Sequence, residues 1–179
     1  MDLLRSFSKI RASAAPAELV GTLSRSDLAD YVDRVRLFLA AEMVGVARRV
    51  LGITSEYVKT RSQFGQPIGS FQAIQHKLAD MCCYTEQAAA MTRFAAWCAD
   101  NDSSQFAGAA AAAKGIASEF VPAVVEDSIQ AHGGIGFTYE YELHLYLRRA
   151  VVLANWLENR NTCYRHVAQE LIIGRPGGA

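Results

Sequence analysis

The stretch TRSQFGQPIGSFQAIQHKLAD, residues 60–80, decides how this chain is read. Ahead of it, Leu37, Ala40, Ala41, Val44, Val50, Leu51 and Val58 recur near a 3.6-residue spacing, the period of one helix face. Pro67 and Gly69 stop that pattern, and a helical pattern resumes at Ser70 or Phe71. An arginine, an aromatic ring and a stiff turn therefore stand between two long helices. A plain connection asks only for small and polar residues.

Working outward from this junction, the first helix is expected over residues 26–61, with Ser26 as its N-cap ahead of Ala29 and Asp30. The second runs through AIQHKLADMCCYTEQAAAMTRFAAWCAD and ends in the polar DNDSS. A third covers residues 105–131, with a local kink at Pro122 and a stop at Gly133 and Gly134. The fourth is placed at 141–157 and a shorter fifth at 162–173. Long helices with short connections predict an all-α fold, an antiparallel up-and-down bundle. Before it, SFSKIRA (residues 6–12) alternates polar and apolar side chains and reads as a short N-terminal strand or extended segment, closed by APAELVG. A lone strand needs a sheet from elsewhere.

Composition narrows the function classes. With 179 residues, 51% of them hydrophobic and 20% charged, the chain can bury a sizeable core. Eighteen basic side chains balance eighteen acidic ones, so net charge gives no pull toward nucleic acid or an anionic membrane surface. Apolar runs such as AVVLANWL fall well short of the roughly 20 residues that span a bilayer. Cys82, Cys83, Cys98 and Cys163 show no CxxC spacing, which points to a reducing compartment, the cytoplasm, and to neither a disulfide framework nor a zinc site. MDLLRSFSKIRASAA is basic and poor in acids but lacks the hydrophobic core of a signal peptide. No Glu has a His three residues later, and His76, His132, His144 and His166 stand apart, so no metal is expected. The alanine-rich FAGAAAAAKGIASEF is explained by helix propensity and close helix packing. Its apolar surface, with few charges between Phe106 and Val125, is more than four helices of one chain would cover, which predicts an oligomer.

Two segments exceed what packing needs. One is Arg61, Gln63 and Phe64 ahead of GQPIGSFQ. The other is QAHGGIGFTYEYELHLYLRRA, residues 130–150, with Gly133, Gly134 and Gly136 close together after Gln130. One glycine serves a helix C-cap; three so close expose backbone N–H groups that can approach a pyrophosphate. Arg61 offers a planar fork for phosphate oxygens, although a cation at a helix end also simply compensates the helix dipole.

Together these segments resemble the C-terminal helical domain of the acyl-CoA dehydrogenase family. YVKTRSQFGQPIGSFQAIQHKLADM (residues 57–81) is similar to the family's Arg-x-Gln-Phe-Gly-x-Pro-Ile signature and the helix after it. The segment 130–150 is similar to its Gly-Gly-x-Gly flavin loop, and residues 36–149 follow the family closely. The resemblance implies FAD as cofactor, with Arg61 on the pyrophosphate of an FAD held across a subunit interface. It places Phe64 at the flavin end with Gln63 beside it, and puts Gln130, Gly133, Gly134 and Gly136 along the diphosphate and adenosine region. It further implies α,β-desaturation of an acyl-CoA thioester, in which a carboxylate removes the α-proton.

Two departures accompany the resemblance. The family's Tyr-Glu-Gly-Thr base motif falls near Trp156, where the chain reads VVLANWLENRN, so no catalytic residue is assigned. Glu158 lies two positions on, which on a helix is about 200° round and on the opposite face. The other register used in the family, in the first long helix, falls near Val35, and the Thr and Gln that follow the base are missing too. The second departure is length. Residues 1–25 read as a remnant of the family's middle β-domain plus a linker, residues 26–179 as the helical domain, and the rest of the family's domains are absent. The expectation is a base-less flavoprotein subunit or fragment, homo- or hetero-oligomeric, that reaches acyl-CoA through a partner chain. The alternative is a helical interaction module with no cofactor.

Overall fold

A computed structural model describes Arg5 and residues 8–172. Five helices dominate: α1 (Arg25–Thr60), α2 (Gln72–Asn101), α3 (Ser103–His132), α4 (Leu143–Asn155) and α5 (Arg160–Ile172). Two-residue strands β1 (Ser62–Gln63) and β2 (Gln66–Pro67) form a hairpin between α1 and α2, followed by a 3₁₀ turn at Ile68–Ser70, and a second 3₁₀ turn occupies Gly133–Phe137. The fold is the expected all-α bundle.

α1 starts one turn position earlier than the sequence pattern placed it. Ser24, not Ser26, is the N-cap: its hydroxyl accepts from Asp27 N–H while the Asp27 carboxylate reaches back to Ser24 N–H, a reciprocal capping box. Asp102 is the single residue joining α2 to α3, and its carboxylate accepts from Ser104 N–H to begin α3. α3 continues unbroken through Pro122 to His132. Proline cannot donate to the Ser118 carbonyl four residues back, so one helical hydrogen bond is lost there without ending the helix.

α3 is the centre of the molecule, packing against each of the other four helices. Ala110, Ala113, Ala117, Val121, Val124 and Val125 are fully buried. They meet Ala40, Met43, Ala47 and Val50 of α1, Met81 and Ala88 of α2 and Leu143 and Leu153 of α4 in one core. This corrects the source of the expected oligomer surface: the apolar face of α3 is covered within the chain. The exposed large apolar side chains lie elsewhere, at Leu28, Tyr31 and Phe38 of α1 and at Phe94 and Trp97 of α2. It also corrects the membrane argument, because residues 104–137 are long and apolar enough to cross a bilayer by composition alone. In the structure 61% of that window's most apolar part is buried in the protein.

The N-terminal segment forms no strand among the described residues. Residues 8–23 are exposed chain without regular pairing, and Ser6 and Phe7 lie outside the described residues. The extended-segment reading holds for 8–12, and the strand does not form there because no second strand runs beside it.

Candidate functional site

The cofactor candidates converge at one end of the bundle. α1 ends at Thr60, with Arg61 as its C-cap, and the hairpin β1–β2 follows in register Ser62 with Pro67 and Gln63 with Gln66. The two turn residues, Phe64 and Gly65, have φ of 54° and 82°. Two consecutive positive φ values mark the turn type whose twist suits a hairpin, and Gly65 adopts its angle freely. Phe64 does not: an L-residue with a Cβ in this region costs about 1–2 kcal/mol. Its ring is 93% exposed and touches only Phe71 edge-on, centroids 6.2 Å apart. A strained, solvent-facing aromatic at a hairpin tip has no stability rationale within this chain.

Opposite the hairpin, α3 ends at His132, and Gly133 turns the chain with φ 63°. Gly134 has no atom within 4 Å of where a Cβ would stand, so its backbone faces open space. Gly136 differs. A Cβ there would lie 2.7 Å from the Ile129 carbonyl and 3.1 Å from His132 Cβ, so this glycine lets the turn fold back onto α3. Tyr57 ties the two ends together, its ring stacked on His132 at 4.1 Å and edge-on to Tyr141 at 6.2 Å.

Between hairpin and turn lies a cleft of about 610 Å³. It is lined by Arg61, Gln63, Phe64, Gln130, Gly133 and Gly134, with Tyr57, Ile68, Phe71, Ile74, His132 and Ile135 completing the wall. Six of the seven residues picked from the sequence thus share one cleft, although 66 or more positions separate Gln63 and Phe64 from Gln130 in the chain. Gly136 does not line it; it is buried behind the turn as a packing glycine. Tyr57 and His132 were missed by sequence reasoning. The available signal was spacing, since Tyr57 stands four residues before Arg61 and hence on the same face of α1.

The fit to a dinucleotide rests on the chemistry of these groups. Arg61 makes no ion pair among the described residues, so its guanidinium is uncommitted. Bare backbone at Gly134 admits a diphosphate closely, and Phe64 and Ile135 supply apolar surface for a ring system. The orphaned Nε2 of buried His132 is a further polar atom the chain alone does not satisfy. The residues present fit FAD.

A second cluster lies at the start of α5. α4 ends at Asn155, and Leu157 turns the chain with φ 69°, so the helical geometry that placed Glu158 opposite Trp156 does not apply. Glu158 nevertheless points inward. Arg36 Nε donates to its Oε1 at 2.5 Å and Nη2 to its Oε2 at 3.0 Å, while Arg36 Nη1 donates to Asp33 at 2.6 Å. Cys163 Sγ adds a contact at 3.3 Å and His166 Nε2 one at 3.4 Å. Burial alone would raise the Glu158 pKa, but the Arg36 hydrogen bonds and charge outweigh it and hold the carboxyl below its usual range. Fully buried Lys114 donates to Ser118 Oγ at 2.8 Å and to the carbonyls of Ala154 and Glu158 at 3.0 and 3.4 Å. Burial pulls its pKa down, and it pushes the Cys163 thiol up to about 12, leaving that sulfur inert. Two cations thus hold the loop between α4 and α5, one by its carboxylate and one by its backbone. No group of three or more metal-ligating side chains occurs among the described residues.

With this geometry in hand, comparison with known proteins is decisive. The sequence model described as "Acyl-CoA dehydrogenase, C-terminal domain" matches residues 29–170. The chain belongs to the acyl-CoA dehydrogenase family. Acyl-CoA dehydrogenase FadE34 of Mycobacterium tuberculosis is 45% identical over 136 residues, which is 75% of this chain and 19% of that protein. The solved butyryl-CoA dehydrogenase of Megasphaera elsdenii is similar with a TM-score of 0.77 at 31% identity, covering 82% of this chain and 38% of its own. The FAD complex of PigA gives 0.69 at 31% identity, covering 74% and 34%. This acyl-CoA dehydrogenase family chain therefore spans less than half the length of each of these relatives.

Proposed function

We propose that the chain is the FAD-contacting helical part of an acyl-CoA dehydrogenase-type oxidoreductase that desaturates an acyl-CoA thioester in the cytoplasm, and that it works in an oligomer. The observation that carries this reading is the cleft, where an uncommitted arginine, a strained exposed phenylalanine and a bare glycine turn face one another. When bound, the flavin supplies the hydride acceptor. Arg61 holds the diphosphate by its planar fork, the Gly133–Gly134 backbone lets those oxygens approach, and Phe64 excludes water from the ring end.

The base comes from another chain on this reading. Removing an α-proton needs a carboxylate free to accept it. Glu158, the carboxylate nearest the register of the family's base, has both oxygens engaged by Arg36 and a depressed pKa, so it is a poor proton acceptor. The partner would also provide the β-domain that the relatives' greater length leaves room for.

The test is a visible spectrum of the complex isolated from its own cell extract, before and after anaerobic addition of mixed acyl-CoAs, with FAD retention compared for Arg61→Ala. A flavin band that bleaches with substrate, and loss of flavin from the variant, are expected. A pure, folded complex with no flavin band would replace this reading with that of a cofactor-free interaction module.

A further inference from the structure

One polar atom beside the cleft has no role in the account above. His132 Nδ1 lies 2.8 Å from the Ser128 carbonyl, which can only accept, so Nδ1 carries the proton and Nε2 of the neutral ring carries a lone pair. Burial favours that neutral form by pulling the His132 pKa below its usual value. Nε2 is shielded from solvent and has no hydrogen-bond partner. The ring is not free to turn toward one, being stacked on Tyr57 with planes 22° apart and tilted against Tyr141 at 4.9 Å. The Tyr57 hydroxyl does not serve it either, since it points to the His132 carbonyl at 3.5 Å. If stacking were the only task, phenylalanine would do it with no acceptor to desolvate.

The cleft's other polar groups sort the ligand. The Arg61 guanidinium and the glycine N–H groups only donate, and a diphosphate only accepts, so these belong together. A lone pair on Nε2 asks for the opposite partner. In a flavin dinucleotide the nearest donors to the diphosphate are the sugar hydroxyls that flank it. We propose that His132 is a ligand-positioning residue whose Nε2 accepts a hydrogen bond from a sugar hydroxyl of the dinucleotide, fixing how far the diphosphate slides along the cleft. Because Nε2 lies just behind the cleft surface, the wall at Ile135 yields on binding to admit the hydroxyl. This rests on the reading of the cleft as an FAD site.

The experiment is a double-mutant cycle read by flavin absorbance and fluorescence titration of the deflavinated complex, not by turnover. The ligands are FAD, FAD lacking the adenosine ribose hydroxyls, and FAD lacking a ribityl hydroxyl. Loss of one hydrogen bond predicts affinity about tenfold weaker for one of the two deoxy analogues. His132→Phe should weaken FAD by a similar factor and that analogue by nothing further. If both analogues bind the unmodified protein as tightly as FAD, the proposal is overturned whether or not His132→Phe folds. Equal losses for all three ligands in the variant would reduce His132 to a packing role. Failure of the underlying cleft reading looks different: Arg61→Ala would then leave the affinity for every ligand unchanged.

Discussion

Phe64 shows how a single residue records a function that stability does not explain. Its positive φ is a conformation asparagine tolerates far better, so Phe64→Asn should raise stability by about 1 kcal/mol while weakening FAD retention. Urea unfolding and flavin titration measured on the same preparation check both signs, and a variant that is more stable and retains FAD fully would remove Phe64 from the site. Gly136 makes the opposite case. An added Cβ meets backbone at 2.7 Å, which cannot rotate away, so Gly136→Ala should destabilise by about 2 kcal/mol. Because Gly136 lies behind the turn, the affinity loss should follow the stability loss and not exceed it. The sequence pattern placed these two residues in one functional set, and only the packing environment separates them.

At the scale of elements, the loop between α4 and α5 is held by buried charge. Replacing Glu158 by Gln leaves the Arg36 guanidinium with Asp33 as its remaining buried anion, and breaking such a pair costs about 3 kcal/mol. The pH dependence follows from the direction of the shift. The folded Glu158 pKa lies below its ordinary value of 4.5, so its stabilisation is complete above that value and is lost as pH falls through the folded pKa. Acid unfolding followed by circular dichroism should show a steeper decline below about pH 4.5 in the wild type than in Glu158→Gln. Parallel acid limbs would mean that Glu158 does not titrate with folding. The five helices were legible from periodicity, yet this ion pair was not, because Arg36 and Glu158 are 122 positions apart and no local pattern links them.

For the whole molecule, the question is what covers the surface that the bundle leaves apolar. α3, the most apolar helix, uses its apolar face inside the chain, while Tyr31, Phe38 and Trp97 stand more than half exposed at 63%, 75% and 52%. Single exposed rings are ordinary on a surface, and their concentration on α1 and α2 marks the faces where a second chain would gain most. Sedimentation at micromolar concentration should give a species heavier than the 19.5 kDa chain, with a melting temperature that rises with protein concentration. A monomer with a concentration-independent melting temperature would confine the proposed flavin site to one chain.

The sequence by itself determined the helical class, the positions of five helices to within a few residues and the two segments that meet at the cleft. Each is a local property: a 3.6-residue period, a proline and glycine break, a run of glycines after a helix. Tertiary structure decided the rest. It set Tyr57 and His132 between the two segments, moved Gly136 from the cleft wall to the packing behind it, turned Glu158 into the interior and put α3 at the centre. These outcomes depend on which residues distant in the chain come within a few ångströms, where burial and opposite charge change what a side chain can do, and periodicity along one chain carries no record of that.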